Sequence, residues 1–163
     1  MKVSRRWWSS AASTAKASGK KTAVLVLDTD HLVEFDEASN AGARLKERLR
    51  AADDEVAATI ISVEEQFRGW VAQIHRLHAD PHAQIPAYAR LKRRLEFYAR
   101  WNILPWDAGS ARSFGNFRRR GLRIGSMDLK IACIALAHDA TLLTRNATDF
   151  AQVPGLRIEN WLD

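Results

Sequence analysis

The chain predicts an α/β fold, a mostly parallel sheet with helices on both faces. Two observations carry that expectation. Short apolar runs rich in β-branched residues alternate with longer stretches of helical periodicity from Thr22 onward. The run that opens this alternation, TAVLVL, is apolar without in-and-out alternation, as a strand buried on both faces requires.

TAVLVL (22–27) is the first strand. GARLKERLRAAD (42–53) spaces Leu45 and Leu49 one helical turn apart, and VAATII (56–61) is the second strand. SVEEQFRGWVAQIHRLH (62–78) places Val63, Phe67, Trp70, Val71, Ile74 and Leu77 on one side, the stripe of an amphipathic helix, and burial in the core is the expected fate of Trp70. ADPHAQIP (79–86) is expected as a loop ended by Pro86, YARLKRRLEFYARW (88–101) as a helix, and NILPW (102–106) as a short strand closed by Pro105. A basic helix then runs to Arg120, and Gly121 and Gly125 bracket a turn. MDLKIACIALAH (127–138) is a helix, TLLT (141–144) a strand and LRIENW (156–161) the last strand. No internal repeat is present.

A length of 163 residues suits one domain, and 47% hydrophobic content is enough for a real core. The single cysteine, Cys133, lies inside the apolar run IACIALA and reads as a small buried hydrophobe. One cysteine permits no internal disulfide, which fits a reducing cytoplasm; no apolar run approaches the ~20 residues of a membrane span. SSAASTAKASGKK lacks the apolar segment of a secretory signal, so export is not expected.

The net charge of +6 is unevenly placed. Residues 1–22 hold six basic side chains and no acid, and read as a basic flexible arm in which Trp7 and Trp8 have no evident role; the remaining 23–163 balances 19 basic against 19 acidic groups. Within that neutral body, residues 87–125 carry ten Arg or Lys against Glu96 and Asp107 alone. A basic flank beside an acidic remainder suits a phosphodiester substrate, with cations for backbone phosphates and carboxylates for metal.

Four acidic stations lie at strand ends or helix starts: Asp28 after VLVL, Glu65 in SVEEQ, Asp128 in GSMDL and Asp149 in RNATDF. In parallel sheets, side chains from separate loops meet at the carboxyl ends of the strands. Singly, each acid reads as a helix cap or a partner of the helix dipole; Ser62 and Glu65 have the spacing of a capping box, and Ser126 is placed to cap the helix of Asp128. Four such acids at matching places favour a shared divalent cation. The spacing to Gly69 and the capping box select Glu65, while Glu64, nearer the border of the apolar stripe, is the reserve. His31 follows the first strand and reads as structural or exposed.

VLDTDHL, TIISVEEQFRGW, IGSMDLKIACIALAHDATLLTRNATDF and LRIENW together resemble a PIN domain, specifically a VapC-type toxin ribonuclease of a bacterial toxin–antitoxin pair, over about residues 23–163. The last long block is the most specific part. The resemblance implies a PIN-like three-layer α/β/α fold and endoribonuclease activity dependent on Mg²⁺ or Mn²⁺. Its implied partners are an RNA substrate, a cognate antitoxin and a second copy in a homodimer. Asp28, Glu65 and Asp128 match the family's first three acids. Asn146 stands where many relatives have the fourth, with Asp149 as its substitute, and Asp30 replaces a more usual Asn or Ser.

Mg²⁺ prefers oxygen ligands and retains several waters. Asp28 and Asp128 are therefore expected as its ligands, with Glu65 and Asp149 acting through water or orienting the nucleophile. Arg112, Arg118, Arg119, Arg120, Arg123 and Arg145 are expected to bind phosphates; Trp106 and Phe117 are candidates for stacking a base, although core packing is the favoured reading of each. An apolar groove for the antitoxin is expected between helices 39–52 and 62–78.

Two alternatives come from other classes. VLVLDTD is similar to the nucleophile strand of haloacid-dehalogenase-like phosphatases, with Asp28 as the nucleophile, although GSMDLKIA does not supply that family's late G-D-x-x-x-D. The other is a non-catalytic module that keeps the fold and binds RNA or protein.

Overall fold

The computed structural model describes residues 23–163; the basic arm expected at 1–22 lies outside the described residues. The elements run β1 (Val24–Leu27), α1 (Thr29–Asp36), α2 (Asn40–Ala52), β2 (Glu55–Thr59), α3 (Ile60–Arg76) and α4 (Pro81–Tyr98). They continue β3 (Asn102–Leu104), α5 (Ala108–Arg119), α6 (Ser126–Ala137), β4 (Thr141–Leu143), α7 (Ala147–Phe150) and β5 (Arg157–Glu159). No helix among the described residues is long and apolar enough to cross a membrane.

The five strands form one sheet in the order β3-β2-β1-β4-β5, with every neighbouring pair parallel. From β1 the chain builds outward through β2 and β3, then returns to β1's other side with β4 and β5. The carboxyl ends of β1 and β4 thus flank the point where the winding reverses, where open α/β sheets form their binding crevice.

Strand alternation divides the core into two layers. Leu25 and Leu27 of β1 face one layer with Leu32 of α1, Leu45 and Leu49 of α2, and Tyr98 of α4. Val26 faces the other, with Leu142 of β4, Leu129 and Ile134 of α6, and Phe150 of α7. Both faces of β1 are covered, which is why its sequence is apolar at successive positions. Helix α6 is buried over most of its circumference, so it too is apolar nearly all round.

Several local expectations are corrected. Residues 29–36 form a helix that sequence periodicity does not announce, because Asp28 ends the strand and caps α1 in one step. The second strand ends at Thr59; its hydroxyl accepts from the Ser62 backbone N–H at 3.0 Å, so Ile60 and Ile61 belong to α3. Thr59 is therefore the cap. Ser62 lies inside the helix with its hydroxyl against that of Thr59, and the Ser62–Glu65 capping box does not form. Residues 81–86 are helix and not loop: Asp80 caps the Ala83 and His82 N–H groups, Pro81 takes the first helical position, and Pro86 is accommodated within α4. Gly125, not Ser126, occupies the cap position of α6, without a side-chain bond.

The two helices expected to form an antitoxin groove pack on different partners, α2 along α1 and α3 along α4. Trp106 and Phe117 are partly buried against the α6 side of the core. Trp70 belongs to neither core layer.

Candidate active site

Register places the first acid. Leu27 lies opposite Leu143 in the β1–β4 ladder, and the next residue continues the pairing, the Asp28 N–H donating to the Leu143 carbonyl at 2.9 Å. Asp28 and Thr144 thereby leave the sheet side by side. The Thr144 hydroxyl donates to Asp28 Oδ2 at 2.8 Å and accepts from the Asn146 N–H at 3.0 Å; the Thr29 N–H donates to Asp28 Oδ1 at 2.7 Å. Asp28 is 8% exposed. Burial pushes its carboxyl up to about 6, against the opposing pull of its two hydrogen bonds and with a further push from Asp128 and Asp30.

Glu65 reaches the same neighbourhood from α3. It is half-buried, and its Oε2 accepts from the Thr29 hydroxyl at 3.0 Å. Its carboxyl is also raised, by desolvation and by Asp128. Thr29 consequently joins two acids, its N–H on Asp28 and its hydroxyl on Glu65.

Asp128, in the first turn of α6, is raised by burial and by Asp149. An added Cβ on Gly125 would lie 3.3 Å from Asp128 Oδ2, so the absence of a side chain there leaves room for the carboxylate to fold back over the helix start. Asp149 accepts from Asn146 Nδ2 at 2.9 Å. Asn146 caps α7 by position but spends its side chain on Asp149, so the two candidates for the fourth position are one hydrogen-bonded pair.

Asp28, Glu65, Asp128 and Asp149 thus form a chain of mutual repulsion centred on Asp128. None of the four is ion-paired among the described residues. Such uncompensated oxygen donors suit a hard cation. No three His, Cys, Asp or Glu side chains among the described residues converge closely enough to cage an ion alone, so protein ligands would be few and water would complete the shell.

Asp30 acts on Asp28 through its charge, and the other expected site residues have separate surroundings. Glu64 is exposed and pairs with Arg68, and Asp30 is exposed in the first turn of α1. Arg118 donates to the Ile124 carbonyl at 3.2 Å and lies over the Phe114 ring, tying down the turn before α6. Arg119 bonds Asn116, and Arg145 lies near Glu34 and Asp163 at 3.7 and 3.6 Å. Arg112, Arg120 and Arg123 are exposed, with no acid paired to them among the described residues. His31 is fully buried; its Nε2 accepts from the Trp161 N–H at 3.3 Å, and burial holds its ring down at about 4. Cys133 is buried with its thiol raised to about 11, an unreactive state.

Sequence reasoning missed the hydroxyls. Thr29 and Thr144 organise the acids, and the signal available was position: each directly follows a strand or its terminal acid.

The PIN domain family model matches residues 25–156. The Ribonuclease VapC2 of Rickettsia felis is 39% identical over 69 residues, 40% of this chain and 52% of that protein. A tRNA(fMet)-specific endonuclease VapC of Salmonella typhimurium is 33% identical over 69 residues, again 40% and 52%. The chain spans about half the length of the curated relatives it matches. Among solved structures, VapBC2 from Rickettsia felis bound to a promoter DNA fragment superposes with a TM-score of 0.62 at 26% identity, covering 85% of this chain and 98% of that one. DNA-bound VapBC from Salmonella typhimurium gives 0.63 at 22% identity over 86% and 99%, a likeness of fold.

Proposed function

Because the chain belongs to the PIN domain family, we propose that it is a divalent-metal-dependent endoribonuclease and the toxin of a toxin–antitoxin pair. The observation that supports this reading is the electrostatic neighbourhood of Asp128, which pushes up the carboxyls of Asp28 and Glu65 and is itself pushed up by Asp149, with Thr29 hydrogen-bonded to both Asp28 and Glu65. Family membership also removes the phosphatase alternative.

Asp28 and Asp128 are the proposed ligands of Mg²⁺ or Mn²⁺, with Glu65 and the Asn146–Asp149 pair meeting bound water. When bound, the cation would acidify water and stabilise charge on phosphate oxygens. The protein's own contribution is positional. Thr144 and Thr29 fix both oxygens of Asp28, so the carboxylate cannot rotate away from the crevice. Thr29 also holds Glu65, whose raised carboxyl is suited to orient an attacking water and take its proton. Arg112, Arg120 and Arg123 supply phosphate contacts without reading sequence.

The proposed partners are the RNA, an antitoxin, as in the VapBC complexes, and a second copy of the chain. Ile85, Tyr88 and Leu95 form an exposed apolar stripe on α4, at 62%, 54% and 54%, where a protein partner is expected to dock.

The test is cleavage of a mixed structured-RNA pool with Mg²⁺ or Mn²⁺ against EDTA, for the wild type, Asp28→Asn and Asp128→Asn. Cleavage that needs metal and is lost in both variants is expected. RNA bound but uncut by folded, metal-loaded wild type would replace this reading with a binding module.

A further inference from the structure

Beside the acidic crevice, the outer side of α3 carries a pocket of about 260 Å³ lined by Glu65, Gln66, Gly69, Trp70 and Gln73. The lining residues recur at the spacing of one helix face, so a single rigid element presents them. Trp70 is half-buried and belongs to neither core layer, which leaves part of its indole available to a ligand. A Cβ built on Gly69 meets nothing within 4 Å, so the pocket floor there is open backbone. An aromatic wall, the Gln73 amide and an open floor at Gly69 together describe a seat for one planar, hydrogen-bonding ring.

We propose that this pocket is a subsite for one unpaired base of the RNA. The proposal rests on the ribonuclease reading for its substrate. Glu65 belongs to both the pocket and the acidic crevice, so a base seated on Trp70 would hold its adjoining phosphate beside the carboxylates. Unpaired bases are recognised by stacking on aromatic side chains and by hydrogen bonds to their edges. Gln73 is the specificity residue, because an amide reads base edges, which differ between bases, while stacking on Trp70 is shared by all four.

The probes are the four 5′-mononucleotides, with ribose 5-phosphate as the baseless control. EDTA is present so that metal-bound phosphate contributes nothing. The readout is the indole N–H resonance of Trp70 in the full chain, assigned among six tryptophans through Trp70→Phe. At least one nucleotide is expected to shift that resonance while ribose 5-phosphate does not. Gly69→Leu should weaken nucleotide binding about tenfold or more, the loss of one stacked base. It fills open space and replaces a helix-interior glycine, so the fold should hold. Gln73→Leu should change the ranking of the four bases. Equal shifts from ribose 5-phosphate, a silent Trp70, or unaltered affinity in Gly69→Leu would each overturn the subsite. RNA cleavage measured in parallel separates the two readings: metal-dependent cleavage with a silent Trp70 rejects the subsite alone, whereas nucleotides bound at Trp70 in a protein that cuts no RNA reject the ribonuclease alone.

Discussion

Asp28→Asn should stabilise the metal-free protein at pH 8 and lose that advantage in acid. The Asp28 carboxyl titrates at about 6 in the folded protein against an ordinary 3.8. The folded state therefore binds this proton more tightly than the unfolded chain does. Its favourable contribution is complete below about pH 4 and is lost as pH rises to about 6, because the buried carboxylate must then ionise. Each tenfold in proton affinity is about 1.4 kcal/mol, so ionised Asp28 costs the fold about 3 kcal/mol at pH 8. Asparagine removes that cost at every pH. It retains an acceptor for the Thr29 N–H, but its amide must meet the Thr144 hydroxyl, which has to reverse from donor to acceptor at a cost of about 1 kcal/mol. The balance is about 2 kcal/mol in favour of the variant at pH 8, or roughly 4–8 °C in Tm for a chain of this size. At pH 4 the sign should reverse. Thermal unfolding followed by circular dichroism in EDTA at pH 4, 6 and 8 gives the comparison. A variant no more stable than wild type at pH 8, or a difference that does not shrink with acid, would refute the electrostatic account of the site. Mg²⁺ adds a second axis: free ion at ten times its Kd should stabilise the wild type by about 1.4 kcal/mol and the variant by much less.

Thr144→Val keeps the shape of a buried side chain but leaves Asp28 Oδ2 and the Asn146 N–H without a partner. It should cost roughly 1.5–3 kcal/mol in chemical denaturation and move the acid limb of the cleavage profile to higher pH, with Thr144→Ser restoring both. The arginines should separate by role. Arg118→Ala should lower Tm with little change in the salt dependence of RNA binding, since Arg118 braces the turn before α6. Arg120→Ala and Arg123→Ala should leave Tm unchanged and each reduce the slope of log affinity against log salt by about one, the mark of a single lost phosphate contact.

The sheet was legible because β1 carries its structural cause in its composition. A strand covered on both faces is apolar at Leu25, Val26 and Leu27 alike, and such a run is hard to read as anything else once its length is short. The helices α3 and α6 announced themselves for the same reason, through apolar stripes or nearly all-round burial. The misreadings lie at boundaries, where the outcome depends on which of two competent groups takes the cap. Thr59 and Ser62 are both good caps, and only the pairing of Thr59 with the sheet places it at the turn, leaving Ser62 within the helix. Likewise Pro86 reads as a loop signal in isolation. Asp80 and Pro81 start the helix five residues before it, so α4 is already under way when the second proline arrives.

The acids were visible for a different reason: a carboxylate at the end of a strand is an unusual thing to bury, and its position can be read from the strand alone. What holds a carboxylate cannot be read in that way. Thr144 lies 116 residues from Asp28, and their contact follows from β4 lying beside β1 in register, a consequence of the winding reversal and not of any local pattern. The fate of Trp70 is non-local as well. Its place on the apolar stripe of α3 would bury it if the sheet covered that whole stripe, but Val63 and Phe67 already make the contact with the core, and Trp70 stands beyond it. The same geometry that leaves an indole outside the core brings it next to Glu65, which is why a departure from the expected packing falls beside the candidate site.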